Sequence, residues 1–159
     1  MFTYGTDKRD YLFGTPGNDT LIGGDGGDFI NAGNGNDWLY GGARRDFLFG
    51  GAGADNFVFA AASPWFAHDQ GVDRVFDFTP GEDHIVIGGA FITKNVTPFD
   101  ADAFAEGRIA TDQNDRVLYN PRSGAVFYDA DGAGGLAAIK LAKIDKHLDL
   151  SADDFLFAA

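Results

Sequence analysis

Cysteine is absent from this 159-residue chain, so neither a disulfide nor a thiolate metal site can staple it. That absence suits an ordinary cytosolic protein. It suits equally a protein of an oxidising compartment in which a metal takes over the stapling role. Long apolar runs are missing too: no stretch approaches the roughly 20 residues that a membrane helix needs. Met1 to Thr6 carry neither the basic nor the apolar segment of a Sec-type signal peptide. Positive charge is scarce, with 12 lysines and arginines against 24 aspartates and glutamates, a net −12. Such a surface repels nucleic acid and anionic membranes, so neither nucleic-acid binding nor membrane insertion is expected. Catalytic signatures are also lacking. There is no HExxH and no GxSxG, and His68, His84 and His147 stand alone. The expectation is a chain that is not itself an enzyme.

What the chain does have is a period. From Gly5 to Phe59 it repeats every nine residues, six times: GTDKRDYLF, GTPGNDTLI, GGDGGDFIN, AGNGNDWLY, GGARRDFLF, GGAGADNFV. The sixth position is always aspartate (Asp10, Asp19, Asp28, Asp37, Asp46, Asp55) and the eighth always apolar (Leu12, Leu21, Ile30, Leu39, Leu48, Phe57). A fixed short period means one small unit stacked on itself. Positions one to six suit a turn, because glycine there opens backbone angles closed to other residues. Positions seven to nine suit a strand of about 10 Å, with position eight pointing inward. Two units then make one coil. One edge carries Asp10, Asp28 and Asp46, the other Asp19, Asp37 and Asp55.

Aspartates stacked about 4.8 Å apart repel unless a cation lies between them. The donors on offer are carboxylates and turn carbonyls, all hard oxygen in a pliable loop. That set favours calcium over zinc, copper or magnesium.

These windows resemble the RTX nonapeptide family, GGxGxDxUx, the parallel β-roll of bacterial type I-secreted proteins. The resemblance implies an all-β fold: a right-handed parallel β-roll over residues 5–59, then a C-terminal antiparallel β unit, sandwich-like, over 60–159. It implies about three to five calcium ions between same-edge loops. Each would take carbonyls from early turn positions and one aspartate per loop. The implied metal residues are Asp10, Gly14, Asp19, Gly23, Gly24, Asp25, Gly26, Asp28, Gly33, Asn34, Gly35, Asp37, Gly42, Asp46, Gly51, Gly53 and Asp55. The later stretch GVDRVFDFTPGEDHIVI resembles the serralysin-type C-terminal region. There Asp73, 18 residues after Asp55, would close the last loop of that edge. The acidic-apolar tail around Asp154 to Phe157 resembles an uncleaved type I secretion signal. The implied protein is therefore secreted and extracellular.

Two departures qualify the pattern. Lys8, Arg9, Arg44 and Arg45 replace turn residues on the Asp10/Asp28/Asp46 edge, which ranks the other edge as the firmer calcium holder. Outward strand positions are aromatic: Tyr11, Phe13, Phe29, Phe47 and Phe49 on one sheet, Trp38 and Tyr40 on the other. Such a ladder is expected to be covered by the second half, the alternative being an interface with another chain, a catalytic domain or a sugar.

In that half, RVFDF (residues 74–78) and HIVI (84–87) read as strands about a Pro80-Gly81 turn. A short helix is expected near 100–105. RVLY and AVFY flank NPRSG as a hairpin. A strand lies within 136–144, and Ser151 caps a final turn. Asp129-Ala130-Asp131-Gly132 lacks the later ligands of an EF-hand and reads as a turn.

The resulting expectation is a non-catalytic module that folds on binding calcium after passing the type I secretion machinery by its C-terminus. It would form part of a larger protein with an N-terminal catalytic domain. The alternative is a polysaccharide-binding module like those of alginate epimerases or extracellular proteases, although −12 argues against an anionic sugar.

Overall fold

The computed structural model describes residues 1–59, 71–88 and 96–158. The nine-residue unit becomes a turn and a strand, and successive strands alternate between two sheets. One sheet stacks β1 (Phe2–Tyr4), β3 (Thr20–Gly24), β5 (Trp38–Gly42), β7 (Asn56–Phe59) and β9 (His84–Gly88) in parallel. The other stacks β2 (Tyr11–Phe13), β4 (Phe29–Asn34), β6 (Phe47–Ala52) and β8 (Asp73–Val75).

The register keeps the two-unit period. Leu12, Ile30, Leu48 and Val75 lie side by side in one row; Leu21, Leu39, Phe57 and Ile85 form the facing row. These rows are the core, and all but Leu12 are 0% exposed. Burial of each such side chain contributes roughly 1.5–3 kcal/mol.

The second half adds β10 (Val96–Pro98), a 3-10 turn (Ala101–Ala103), β11 (Phe104–Glu106) and β12 (Val117–Asn120). Then come β13 (Ala125–Tyr128), β14 (Ile139–Lys143), a second 3-10 turn (Ala152–Asp154) and β15 (Phe155–Ala158). The expected hairpin is present, with β12, β13 and β14 antiparallel in turn. Its attachment differs from a separate antiparallel cap. β14 joins β8 in parallel and β15 joins β9 in parallel. The open parallel edges of β8 and β9 are completed by strands of the same direction, so Phe155 extends the Leu21–Ile85 row. Both sheets and one hydrophobic core therefore run across residue 59. The end of the glycine register is not the end of the coil.

Three local expectations change. The RVFDF strand stops at Val75, because Phe76 to Asp83 must form the next turn, with Gly81 at φ 76°. The helix near 100–105 is a single 3-10 turn followed by β11. The aromatic ladder is not covered by the described residues. Tyr11 is 66% and Phe13 62% exposed, because the second half extends the sheet at its edge and does not fold across its face. The rings lean on one another instead, with Phe29–Phe49 centroids 5.1 Å apart and Phe49–Phe76 stacked at 4.4 Å. The connector 60–70 with His68, and part of the irregular 91–107 segment, lie outside the described residues.

Among the described residues no helix is long and apolar enough to cross a membrane.

Candidate metal centre

Each turn ends at an aspartate whose carboxylate reaches one coil back. Oδ1 of Asp28 accepts the N–H of Asp10 at 2.8 Å, and Oδ1 of Asp46 that of Asp28 at 2.7 Å. On the other edge, Oδ1 of Asp37 accepts from Asp19 at 2.7 Å and Oδ1 of Asp55 from Asp37 at 2.9 Å. Asp73 joins this scheme in a different place from the one expected. It accepts the N–H of Asp46 at 2.9 Å, so it closes the Asp10/Asp28/Asp46 edge. The spacing of 18 from Asp55 misled because the separation between same-edge aspartates lengthens here, to 27 residues from Asp46 to Asp73 and 28 from Asp55 to Asp83.

Asp83 closes the Asp55 edge, also at 2.9 Å. Sequence reasoning missed it; its signal was an acidic residue directly before the apolar run HIVI, the place position six holds in every repeat. Asp77 was missed as well: its two oxygens accept the N–H groups of Gly50 and Gly51 at 3.0 Å each.

The second carboxylate oxygens divide the ladder. At three of its four ends they are satisfied within a Thr-x-x-x-Asp turn: Thr6 N–H donates to Asp10 at 2.6 Å, Thr79 N–H to Asp83 at 2.8 Å, and Thr15 N–H to Asp19. In the interior, Oδ2 of Asp28, Asp37, Asp46 and Asp55 is buried with no hydrogen-bond partner. A buried carboxylate oxygen left bare costs several kcal/mol unless a cation or a proton answers it. Burial accordingly pushes Asp46 and Asp55 up to about 7 and Asp73 up to about 8, with neighbouring carboxylates adding to the rise. Asp28 and Asp37 are raised for the same reasons.

The backbone around these oxygens is open by design of its glycines. A Cβ added at Gly41 would lie 2.3 Å from Asp46 Oδ2, and one at Gly50 would lie 2.2 Å from Asp55 Oδ2. Gly42 and Gly51 sit at φ 106° and 102°, and a Cβ on either would meet the carbonyl oxygen of Gly24 or Gly33 at 2.0 or 1.8 Å. Early turn carbonyls thus stack coil on coil beside the bare oxygens. The other expected positions lie in these same turns: Gly14, Gly23, Gly26, Gly35 and Gly53, with Asp25 and Asn34 exposed. Among the described residues no three carboxylates or imidazoles converge, so carbonyls must complete any coordination sphere. Paired carboxylates with several carbonyls form the all-oxygen, adaptable donor set that calcium takes.

The two edges differ at position five. Asn18 and Asn36 form a ladder on the Asp19 edge, accepting the N–H of Asn36 at 3.0 Å and of Ala54 at 3.1 Å. On the other edge Arg9 donates through Nε to the Gly27 carbonyl at 3.1 Å, and Arg44 occupies position four at φ 74°. The bare oxygens nevertheless divide evenly, two on each edge.

Beside the second edge lies a groove of about 920 Å³. Arg44, Arg45, Arg74, Lys140 and Lys143 line it, with Phe47 and Phe76 between them. Five of the chain's 12 basic residues therefore gather at one place in an acidic protein. Burial lowers the Lys140 ammonium, and Lys143 and Arg108 lower it further by like-charge repulsion. Arg74 lies 5.2 Å over the Phe76 ring and 3.5 Å from Asp145, yet its buried Nε has no partner.

Stacked coils, paired aspartates and carbonyl-lined glycine turns define a parallel β-roll whose turns offer oxygen donors to a metal. The family model of the RTX calcium-binding nonapeptide repeat matches residues 4–39 and 32–61, in four copies. The AlgE6R3 subunit of the Azotobacter vinelandii mannuronan C5-epimerase has a similar solution structure. It is 31% identical with a TM-score of 0.59, covering 97% of this chain and 81% of that one. The AlgE6R2 subunit of the same organism's enzyme is 26% identical with a TM-score of 0.55, covering 98% and 92%. No curated protein matches. The chain belongs to the RTX calcium-binding repeat family, and its fold is that of these repeat subunits.

Proposed function

We propose that this chain is a non-catalytic calcium-binding module whose roll is completed by about four ions, one for each bare interior oxygen. The carrying observation is that set of oxygens, Oδ2 of Asp28, Asp37, Asp46 and Asp55. When bound, calcium supplies positive charge between stacked carboxylates. The chain's own part is to hold those oxygens and the adjoining carbonyls in register. Sites of about 10⁻⁴ to 10⁻³ M affinity fill outside cells and stay empty in a cytosol. On this reading the module is secreted and extracellular, and it accompanies a catalytic domain on the same protein.

The tail carries the same logic. Phe155 is buried in the core and the Asp154 carboxylate accepts the N–H of Gly81 at 2.7 Å. A type I machinery that reads this segment would have to meet it before the roll forms. Calorimetric titration with calcium tests the main reading. Binding of about four ions is expected, and Asp37→Asn or Asp46→Asn should lower the count. Fewer than two ions, or an unchanged count in both variants, would refute it.

A second reading concerns what the module holds. The basic groove and its two phenylalanines favour an acidic polysaccharide. Their carboxylates would meet the cations while pyranose faces rest on the rings. The likeness to subunits of a mannuronan epimerase supports the same class of ligand.

A further inference from the structure

Arg44, Arg45 and Asp46 are consecutive residues of one turn. The first two line the basic groove; the third carries a bare interior oxygen of the carboxylate ladder. The next coil repeats the juxtaposition. Asp73 holds the Asp46 N–H through its carboxylate, and Arg74 beside it projects to the groove. The two walls are joined through β8, where Ala142 pairs with Asp73 and Lys143 with Arg74.

This turn has little freedom to rearrange on its own. Arg44 stands at φ 74°, a left-handed conformation that strains a side-chain-bearing residue and persists only if its surroundings hold it. Gly71 packs so close that an added Cβ would lie 1.9 Å from the Arg44 carbonyl carbon. The same backbone thus positions the metal oxygens and the anion-facing cations. Without a cation, the Asp28, Asp46 and Asp73 carboxylates repel along this edge and push the turn apart. A cation there would hold the turn closed and keep Arg44, Arg45 and Arg74 on one side.

Asp73 also lines the groove, but its Oδ1 is spent on the Asp46 N–H, and the remaining side is short of counter-charge. Among the described residues, Arg45, Lys140 and Lys143 make no ion pair, and Arg74 makes one long contact to an exposed Asp145. Arg45, Lys140 and Lys143, gathered in a chain of net −12, lack among the described residues an anion that would hold them together. Phe47 and Phe76, each 37% exposed, floor the groove and continue into the aromatic row of β4 and β2. A chain of flat, carboxylate-bearing sugar rings fits that lane. A nucleic acid would also stack there, but its denser phosphate charge meets the acidic remainder of the surface.

We propose that the groove is an acidic-glycan site assembled by calcium on the Asp28/Asp46/Asp73 edge, so that the two ligands bind with positive linkage. The proposal rests on the acidic-polysaccharide reading above and adds its regulation. Linkage is reciprocal: the factor by which calcium tightens the glycan is the factor by which the glycan tightens calcium.

The test uses the whole chain in excess calcium, a trisaccharide of hexuronic acid as probe, and circular dichroism to certify folding. Asp46→Asn should weaken trisaccharide binding at least tenfold while the β signal is kept. Asp37→Asn, which loses calcium on the opposite edge, should change it less than twofold. If both variants weaken binding equally, the local linkage is wrong although the glycan reading stands. If wild type does not bind the trisaccharide, or binds a single-stranded oligonucleotide more tightly, both fail.

Should Asp46→Asn not fold, reciprocity decides. Saturating trisaccharide should raise calcium affinity severalfold in wild type and leave it unchanged in the Arg45→Gln/Lys143→Gln variant. Equal calcium affinity with and without the sugar in wild type would overturn the proposal.

Discussion

At the scale of the residue, this protein sets carboxylates where they cannot be comfortable. Four interior aspartates spend one oxygen on a neighbouring coil's N–H and leave the other buried and bare. The metal-free fold therefore prefers these groups protonated. Asp46 and Asp55 lie near 7 and Asp73 near 8 in the fold, against 3.8 for an ordinary aspartate. Raised folded values mean that the stability they contribute is full below about pH 4 and fades as pH climbs to between 7 and 8. In chelator, acidification from pH 8 to pH 5 should increase the β signal in circular dichroism; a flat or falling signal would contradict the assignment. Protons and calcium compete for the same oxygens, so calcium affinity should rise as the pH climbs from 5 to 8. The aspartates were legible because position six never varies. Asp83 was not, since its turn has lost the nine-residue spacing and keeps only the acid-before-strand order. Asp73 was legible as a residue and misplaced as a neighbour, because counting by 18 assumes turns of constant length.

At the scale of the element, the unit's two faces carry unequal weight. Position eight builds the inner rows, and Phe57 lies fully buried between Leu39 and Ile85, with Phe78 6.1 Å from it. Phe57→Ala should cost about 3–5 kcal/mol by removing core volume that the stacked strands cannot refill. The outward Tyr11 is two-thirds exposed, so Tyr11→Ser should cost less than about 1 kcal/mol. Urea unfolding in calcium measures both; equal losses would mean that the aromatic row is core after all. The inner row was readable from periodicity alone. The fate of the outer row was not, because it depends on whether the later strands lie across a sheet or continue it. They continue it: β14 and β15 take the open parallel edges of β8 and β9. Hairpin chemistry in NPRSG fixed the antiparallel pairing of β12 with β13, but nothing local encodes a parallel partner some 70 residues away in sequence.

At the scale of the whole molecule, charge is distributed in a way its sum conceals. The net −12 argued against an anionic sugar, yet much of that negative charge sits in two buried ladders and much of the positive charge at one groove. Composition averages over the surface; only the coil brings Arg44, Arg74 and Lys143 together from three separate segments. Calcium would neutralise the ladders and leave the groove more dominant. Within the repeats the core is thin, two single rows of side chains, and the like charges beside it oppose closure.

The central claim is that this roll stands on its cations. It is tested most directly by following far-ultraviolet circular dichroism while calcium is added to chelator-treated protein at neutral pH, and then withdrawn. The account predicts a cooperative passage from a largely unfolded spectrum to a β spectrum, reversed by chelator. A protein already fully β in chelator, and unchanged by calcium, would contradict it.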